Sequence, residues 1–347
     1  MSSRILSWGG AGALRSGDAA GTARWKHFDW VMFASTLLLC VVGLVMIYST
    51  TSEPGPFAPS VFLVKQAAYL AFGLVLMAVT ATLDYRFLQN WTWPIYAGTI
   101  ALLAALLVIG RTTHGSTRWI DVGPVPIQPS ELAKLTTALV LARFLSERPR
   151  GQSSLVRFLV SLGLVLVPLG LVFIQPDLGT SMVLGALWLA LILVSGTRIR
   201  YLLWLCLAAL PAVLAGWTFL LKPYQKARVA SFLNPEASPL GEGYNLIQAR
   251  ISIGAGGFRG QGFMEGSQSQ LHYLRVQHTD FIASVIGEEF GFLGMIALLL
   301  VFSLLLVRII RAADIARDTY GELLAAGIGA IILFQVFVNL GMNMGLM

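Results

Sequence analysis

The stretch His278-Thr279-Asp280-Phe281-Ile282 puts a carboxylate where a long Gly-rich loop meets an apolar run, and Glu288 and Glu289 follow inside that run. Partial removal from water raises a carboxylate's pKa towards the range useful to a general base, so proton abstraction is one role for Asp280 and helix capping is the other. Eight residues on, Glu288 lies about two helical turns deeper and faces roughly the same side. Glu131 and Lys134, three apart in Gln128-Pro129-Ser130-Glu131-Leu132-Ala133-Lys134, share a helix face and can neutralise each other. They read either as a structural ion pair pinning two helices or as the lining of a polar substrate cavity. Arg118 stands beside Trp119; a guanidinium there suits bidentate phosphate recognition, whereas Trp alone at headgroup level is an ordinary anchor. Asp177, in Gln175-Pro176-Asp177-Leu178-Gly179-Thr180, opens a helix as a cap, a site residue or both. Gln335, Asn339 and Asn343 recur at i, i+4 and i+8, a polar stripe that in lipid must face a neighbouring helix or a hydrated cavity.

The elements that position these residues are membrane helices. Of 347 residues only 12% are charged and 56% are hydrophobic, against about 25% charged in a soluble domain. With mean hydropathy of +0.74, the chain lacks the polar surface a soluble globule needs. Apolar segments near 30–48, 62–82, 93–110, 129–147, 156–174, 179–196, 201–221, 281–307 and 322–347 are close to spanning length, which predicts nine transmembrane helices. Residues 1–29, carrying Arg4, Arg15, Arg24 and Lys26 and no signal-peptide apolar core, read as a cytoplasmic tail. With that tail inside, inner segments hold fourteen Lys/Arg and the short outer loops only Arg111 and Arg118, as the positive-inside rule requires. The net charge of +7 is scattered in this way rather than clustered, which argues against nucleic acid. Residues 222–280 then form a large outer loop, rich in Gly and in aromatic and aliphatic side chains, expected to be partly ordered as short or re-entrant helices. The last apolar segment runs to Met347 without flanking anchors, so a C-terminal helix is expected to be truncated. Two cysteines support neither a disulfide framework nor a zinc cluster.

Taken together, Gly115 to Lys134, Gln175 to Thr180, Phe232 to Tyr244, Gly254 to Leu271 and His278 to Gly294 resemble the SEDS proteins, the RodA/FtsW/SpoVE family of bacterial cell-wall glycosyltransferases. Leu221-Lys222-Pro223-Tyr224-Gln225, Gly243-Tyr244-Asn245 and Gly266-Ser267-Gln268-Ser269-Gln270 are more similar to the RodA, elongation, branch than to FtsW, the division branch. The resemblance implies a ten-helix, multi-pass enzyme of the bacterial cytoplasmic membrane that polymerises lipid II on the extracytoplasmic side beside a class B penicillin-binding protein. It carries the essential acid to Asp280, after His278, and the other motif positions to Arg118, Trp119, Glu131, Lys134 and Asp177. The chain departs from the family at Leu274-Arg275-Val276, where many members have Leu-Pro-Glu, and in lacking the tenth helix.

On this reading Asp280 takes the proton of the acceptor's GlcNAc 4-hydroxyl, undecaprenyl diphosphate leaves the donor, and Arg118, Arg228 or a divalent cation (Mg or Mn) meets the departing charge; no organic cofactor is implied. Glu288 and His278 join the expected substrate-binding set. Three alternatives stay open: a flippase or transporter of lipid-linked precursors, for which Glu131, Lys134 and Glu288 give some footing; an FtsW-type septal polymerase; and a non-catalytic scaffold.

Overall fold

In the computed structural model the described residues are 28–51, 60–109, 119–122, 125–147, 153–215, 218, 243–271, 273–274 and 277–346. The chain opens with α1 (Trp30–Thr51), α2 (Val61–Thr82) and α3 (Tyr85–Ile109), followed by a small hairpin of β1 (Ile120–Val122) and β2 (Val125–Ile127). Then come α4 (Pro129–Ser146), α5 (Ser154–Ile174), α6 (Leu178–Val194) and α7 (Ile199–Ala215). The large loop contains α8 (Tyr244–Gly256) and the single-turn α9 (Ser267–Gln270), before α10 (Ile282–Asp314) and α11 (Thr319–Asn343).

Each predicted apolar segment overlaps a helix, with 216–217 and 219–221 of the seventh segment outside the described residues, and α1, α2, α3, α5, α10 and α11 are long and apolar enough to cross a membrane. The shorter apolar helices are α6 and α7, while α4 has 18 residues and carries Glu131, Lys134 and Arg143. The all-helical expectation needs one correction: Ile120 pairs with Ile127 and Val122 with Val125 in an antiparallel hairpin, whose two-residue connection is the shortest a hairpin uses. Two helices outrun their predicted ends. Helix α3 begins at Tyr85 because Arg86, Gln89 and Asn90 lower hydropathy without breaking a helix, and α10 continues past Arg308 and Arg311 for the same reason.

Local chemistry sets the helix starts. Ser60, Ser153 and Asp318 each accept a backbone N–H from the first turn of α2, α5 and α11, and Pro129 occupies the first turn of α4, where no N–H is needed. Asp318 also receives Tyr85 Oη at 2.9 Å and an ion pair from Arg86 at 3.2 Å, which ties the start of α3 to that of α11. The Gly321 N–H, then Tyr85 and Arg86, hold its carboxyl below the usual 3.8, so its stabilisation is present above that value and is lost as pH falls through the lowered one. Asp318→Ala is expected to cost about 1 kcal/mol and Asp318→Asn, which keeps the cap, less; thermal melting of the two variants checks this.

Two apolar clusters build the bundle. The first joins α4, α5 and α6 through Leu141, Val165, Leu184, Leu187 and Leu191, with Leu103 of α3. The second joins α1, α8 and α10 through Met46, Leu246, Ala249 and Val285. Helix α11 serves both: Leu323 and Ile331 enter the first cluster and Leu340 the second. Among the described residues α2 has no buried side chain, as expected of a helix bathed in lipid.

Gly291 breaks α10, with φ +63° and ψ −158°. Such a break strands backbone groups that hydrocarbon cannot solvate. The loop after α8 satisfies them: Gln261 N and Gly262 N donate to Glu288 O and Glu289 O, while Phe292 N and Leu293 N donate to Gly257 O and Phe258 O, all at 2.9–3.3 Å. A Cβ on Gly260 or Gly291 would lie 2.1 or 2.3 Å from the opposing backbone, so this seam requires glycine on both sides.

Candidate functional site

Between the two clusters lies a cavity of about 760 Å³. Its polar wall is Trp119, Gln128, Glu131, Lys134, Asp177, Thr180, Asp280, Gln335 and Asn339, and its apolar wall comes from α1, α10 and α11 through residues such as Leu39, Phe302 and Phe334. Five predicted residues, Trp119, Glu131, Lys134, Asp177 and Asp280, therefore meet in one hollow although more than 160 positions separate the first from the last.

Each reaches it by a different route. Trp119 leads into β1 and is 47% exposed. In the first turns of α4, Lys134 Nζ lies 2.7 and 2.8 Å from the two Glu131 oxygens, with the lysine side chain 4% exposed and the glutamate 55% exposed. Burial of the ammonium is thus met by a carboxylate one turn away on the same helix, so the pair pins no second helix, and both members line the cavity. Asp177 caps α6 by accepting Thr180 N at 3.2 Å and Thr180 Oγ1 at 2.9 Å, and Gln128 Nε2 reaches it at 3.3 Å. Asp177 thus serves as the cap of α6 and also lines the cavity. Asp280 is exposed to the cavity and is not the cap of α10; that position belongs to Phe281, which makes no side-chain capping bond.

Glu288 and His278 lie elsewhere. Glu288 is fully buried and accepts Gln268 N at 2.6 Å, Ser269 N at 3.1 Å and Ser267 Oγ at 3.5 Å, which seats α9 on α10. Counting two helical turns from Asp280 misplaced it, because the helix begins only at Ile282 and the residues before it form an irregular turn. His278 packs its ring 4.4 Å from that of Phe62 on α2. Glu289 accepts the Ser49 hydroxyl, and Gln270 and Gln277 donate to Ser49 O and Thr50 O, so the loop is tied to the C-terminal end of α1 as well. Arg118 and Arg228 lie outside the described residues. Gln128, Thr180, Gln335 and Asn339 were not expected in the site, although the i, i+4 polar stripe on α11 signalled the last two.

The arrangement offers a carboxylate facing a hollow, a Glu131-paired lysine in the same hollow and an apolar extension between helices. That combination can hold an amphiphile with a polar head and a long hydrocarbon tail. Among the described residues no three His, Cys, Asp or Glu side chains come together as a metal site.

Comparison with known proteins identifies the lineage. The profile of the Cell cycle protein family FTSW_RODA_SPOVE matches residues 29–347. The chain belongs to this family. It is 37% identical over 324 residues to the peptidoglycan glycosyltransferase MrdB of Escherichia coli strain K12, covering 92% of this chain and 85% of that protein. Stage V sporulation protein E of Bacillus subtilis strain 168 is 36% identical over 329 residues, covering 92% and 88%. A chain from the structure on coordination of polymerization and crosslinking by a peptidoglycan synthase complex superposes with a TM-score of 0.78 at 32% identity, covering 92% of this chain and 88% of that one. The rod shape determining protein RodA of Thermus thermophilus gives 0.66 at 29% identity, covering 91% and 85%. The resemblance drawn from the motifs is borne out at family level.

Proposed function

We propose that the protein is a peptidoglycan glycosyltransferase that polymerises lipid II into glycan strands, in cell-wall elongation rather than septation. The observation that carries this reading is the shared cavity of Asp280 with the Glu131/Lys134 pair beside an apolar extension. The Asp280 carboxylate accepts the proton of the acceptor GlcNAc 4-hydroxyl, whose oxygen attacks the donor's anomeric carbon. The bond from that carbon to the diphosphate oxygen breaks, and undecaprenyl diphosphate leaves with the bonding electrons. Lys134 lines the same hollow, and we assign it the departing charge, a task also open to Arg118 and Arg228. The polyprenyl tail occupies the apolar wall and stays in the bilayer.

On the same reading nine helices span the bacterial cytoplasmic membrane, the N-terminus is cytoplasmic, and the cavity opens on the extracytoplasmic side. The synthase complex among the structural neighbours, which couples polymerization to crosslinking, supports a crosslinking partner, which we take to be a class B penicillin-binding protein. A divalent cation, Mg or Mn, would accompany the diphosphate, and no step above runs through it.

Purified protein in detergent, given lipid II and its partner, is expected to lengthen glycan with no bilayer to cross, and Lys134→Gln to slow it by about 10²-fold. A flippase would leave lipid II monomeric in detergent, and that result would overturn the assignment.

A further inference from the structure

Asp280 lies before α10 rather than in it, so no helical hydrogen-bond ladder sets its position. Its backbone carbonyl is held instead. Asn343, 0% exposed near the end of α11, donates from Nδ2 to Asp280 O at 2.9 Å and to Asn339 O at 2.8 Å. Its Oδ1 accepts Ser284 N at 3.2 Å and Ser284 Oγ at 2.6 Å, so every donor and both acceptor positions of the amide are engaged. One turn earlier, Asn339 lines the cavity and donates to the same Asp280 carbonyl at 3.3 Å.

We infer that Asn343 is a positioning residue for Asp280: a buried amide that fixes, from α11, where the carboxylate stands in the cavity. Glue between two helices needs any complementary pair, and the bonds to Ser284 supply one. Bonds to the main chain of the one acid that enters the cavity from the irregular turn 277–281 serve a narrower purpose. A general base is effective only within hydrogen-bond reach of the proton it takes, and a misplacement of about 1 Å can cost on the order of 10²-fold in rate. The inference rests on the proposed role of Asp280 as base, and its test separates the two.

The variants are Asn343→Leu, which removes the whole amide, Asn343→Ser, which keeps a small polar group, and Ser284→Ala, which removes the hydroxyl bond to Asn343 Oδ1 and leaves the Ser284 N–H bond to it. With lipid II as substrate, Asn343→Leu is expected to lower kcat about 10- to 100-fold with KM within about twofold, Asn343→Ser to lose less, and Ser284→Ala to stay within about twofold of wild type in both. An unchanged kcat in both Asn343 variants, or a rise in KM that accounts for the loss, overturns the inference. A second readout needs no catalysis: Asp280→Cys in a Cys40→Ala, Cys206→Ala background, reacted with a small membrane-impermeant thiol reagent. Adding Asn343→Ser should change the labelling rate about tenfold, and an unchanged rate again overturns the inference. If Asp280→Asn polymerises lipid II, the base reading falls while labelling still reports on the clamp. If Asp280→Asn is inert and Asn343 affects neither readout, the clamp falls and the base stands.

Discussion

Asp280→Asn should fold, bind lipid II and form no measurable glycan. The side chain is exposed and donates to or accepts from no described residue, so the swap of an oxygen for an amide nitrogen removes the base and disturbs nothing packed around it. General-base catalysis contributes about 10²–10⁴-fold, and a loss of that order puts the variant at or below the background of a polymerisation gel. Melting temperature and lipid II binding, measured on the same preparation, should match wild type. A variant inert only because it binds no substrate would point to recognition rather than proton transfer.

The second large effect lies at the seam between α10 and the loop after α8. Gly291→Ala and Gly260→Ala each force a residue with a Cβ into the positive-φ region, which costs about 1–2 kcal/mol. Each also drives that Cβ against the facing backbone, at 2.3 Å from Gly260 N and 2.1 Å from Glu289 O. Relief means separating the two sides of the seam, which breaks four backbone hydrogen bonds at about 0.5–1.5 kcal/mol each. Either substitution is therefore expected to unseat the loop, seen as loss of monodisperse protein in detergent or as new protease cleavage within 243–280. Gly254→Ala is the control: its Cβ meets nothing within 4 Å, it lies inside α8, and stability should stay level or rise by up to about 1 kcal/mol.

These two regions differ in how far the sequence discloses them. Long apolar helices announce themselves through length and apolarity, and the positions of α1, α2, α5 and α11, with the shorter α6, follow within a few residues. The ends of α3 and α10 do not, because Arg86 and Arg311 sit in helix that has already left the apolar window. The Glu131/Lys134 pair is readable because spacing of three on a helix is a geometric statement in itself. Asp280 and Glu288 show the opposite case. Helical counting applies only once a helix exists, and with five irregular residues before Ile282 the two acids serve separate sites. The seam at Gly291 was hidden for a different reason: the need for glycine at 260 and 291 arises from two backbones meeting in space, and no local pattern encodes the partner.

Chemical rescue of Asp280→Ala by formate tests the central claim most directly. The truncation leaves a vacant space at the base position, and a small carboxylate can enter it from the open side of the cavity. Chain formation from lipid II should be absent without formate and should return in proportion to formate concentration, while wild type is unaffected by the same additions. An alanine variant that polymerises lipid II at the wild-type rate with no formate present would contradict the account.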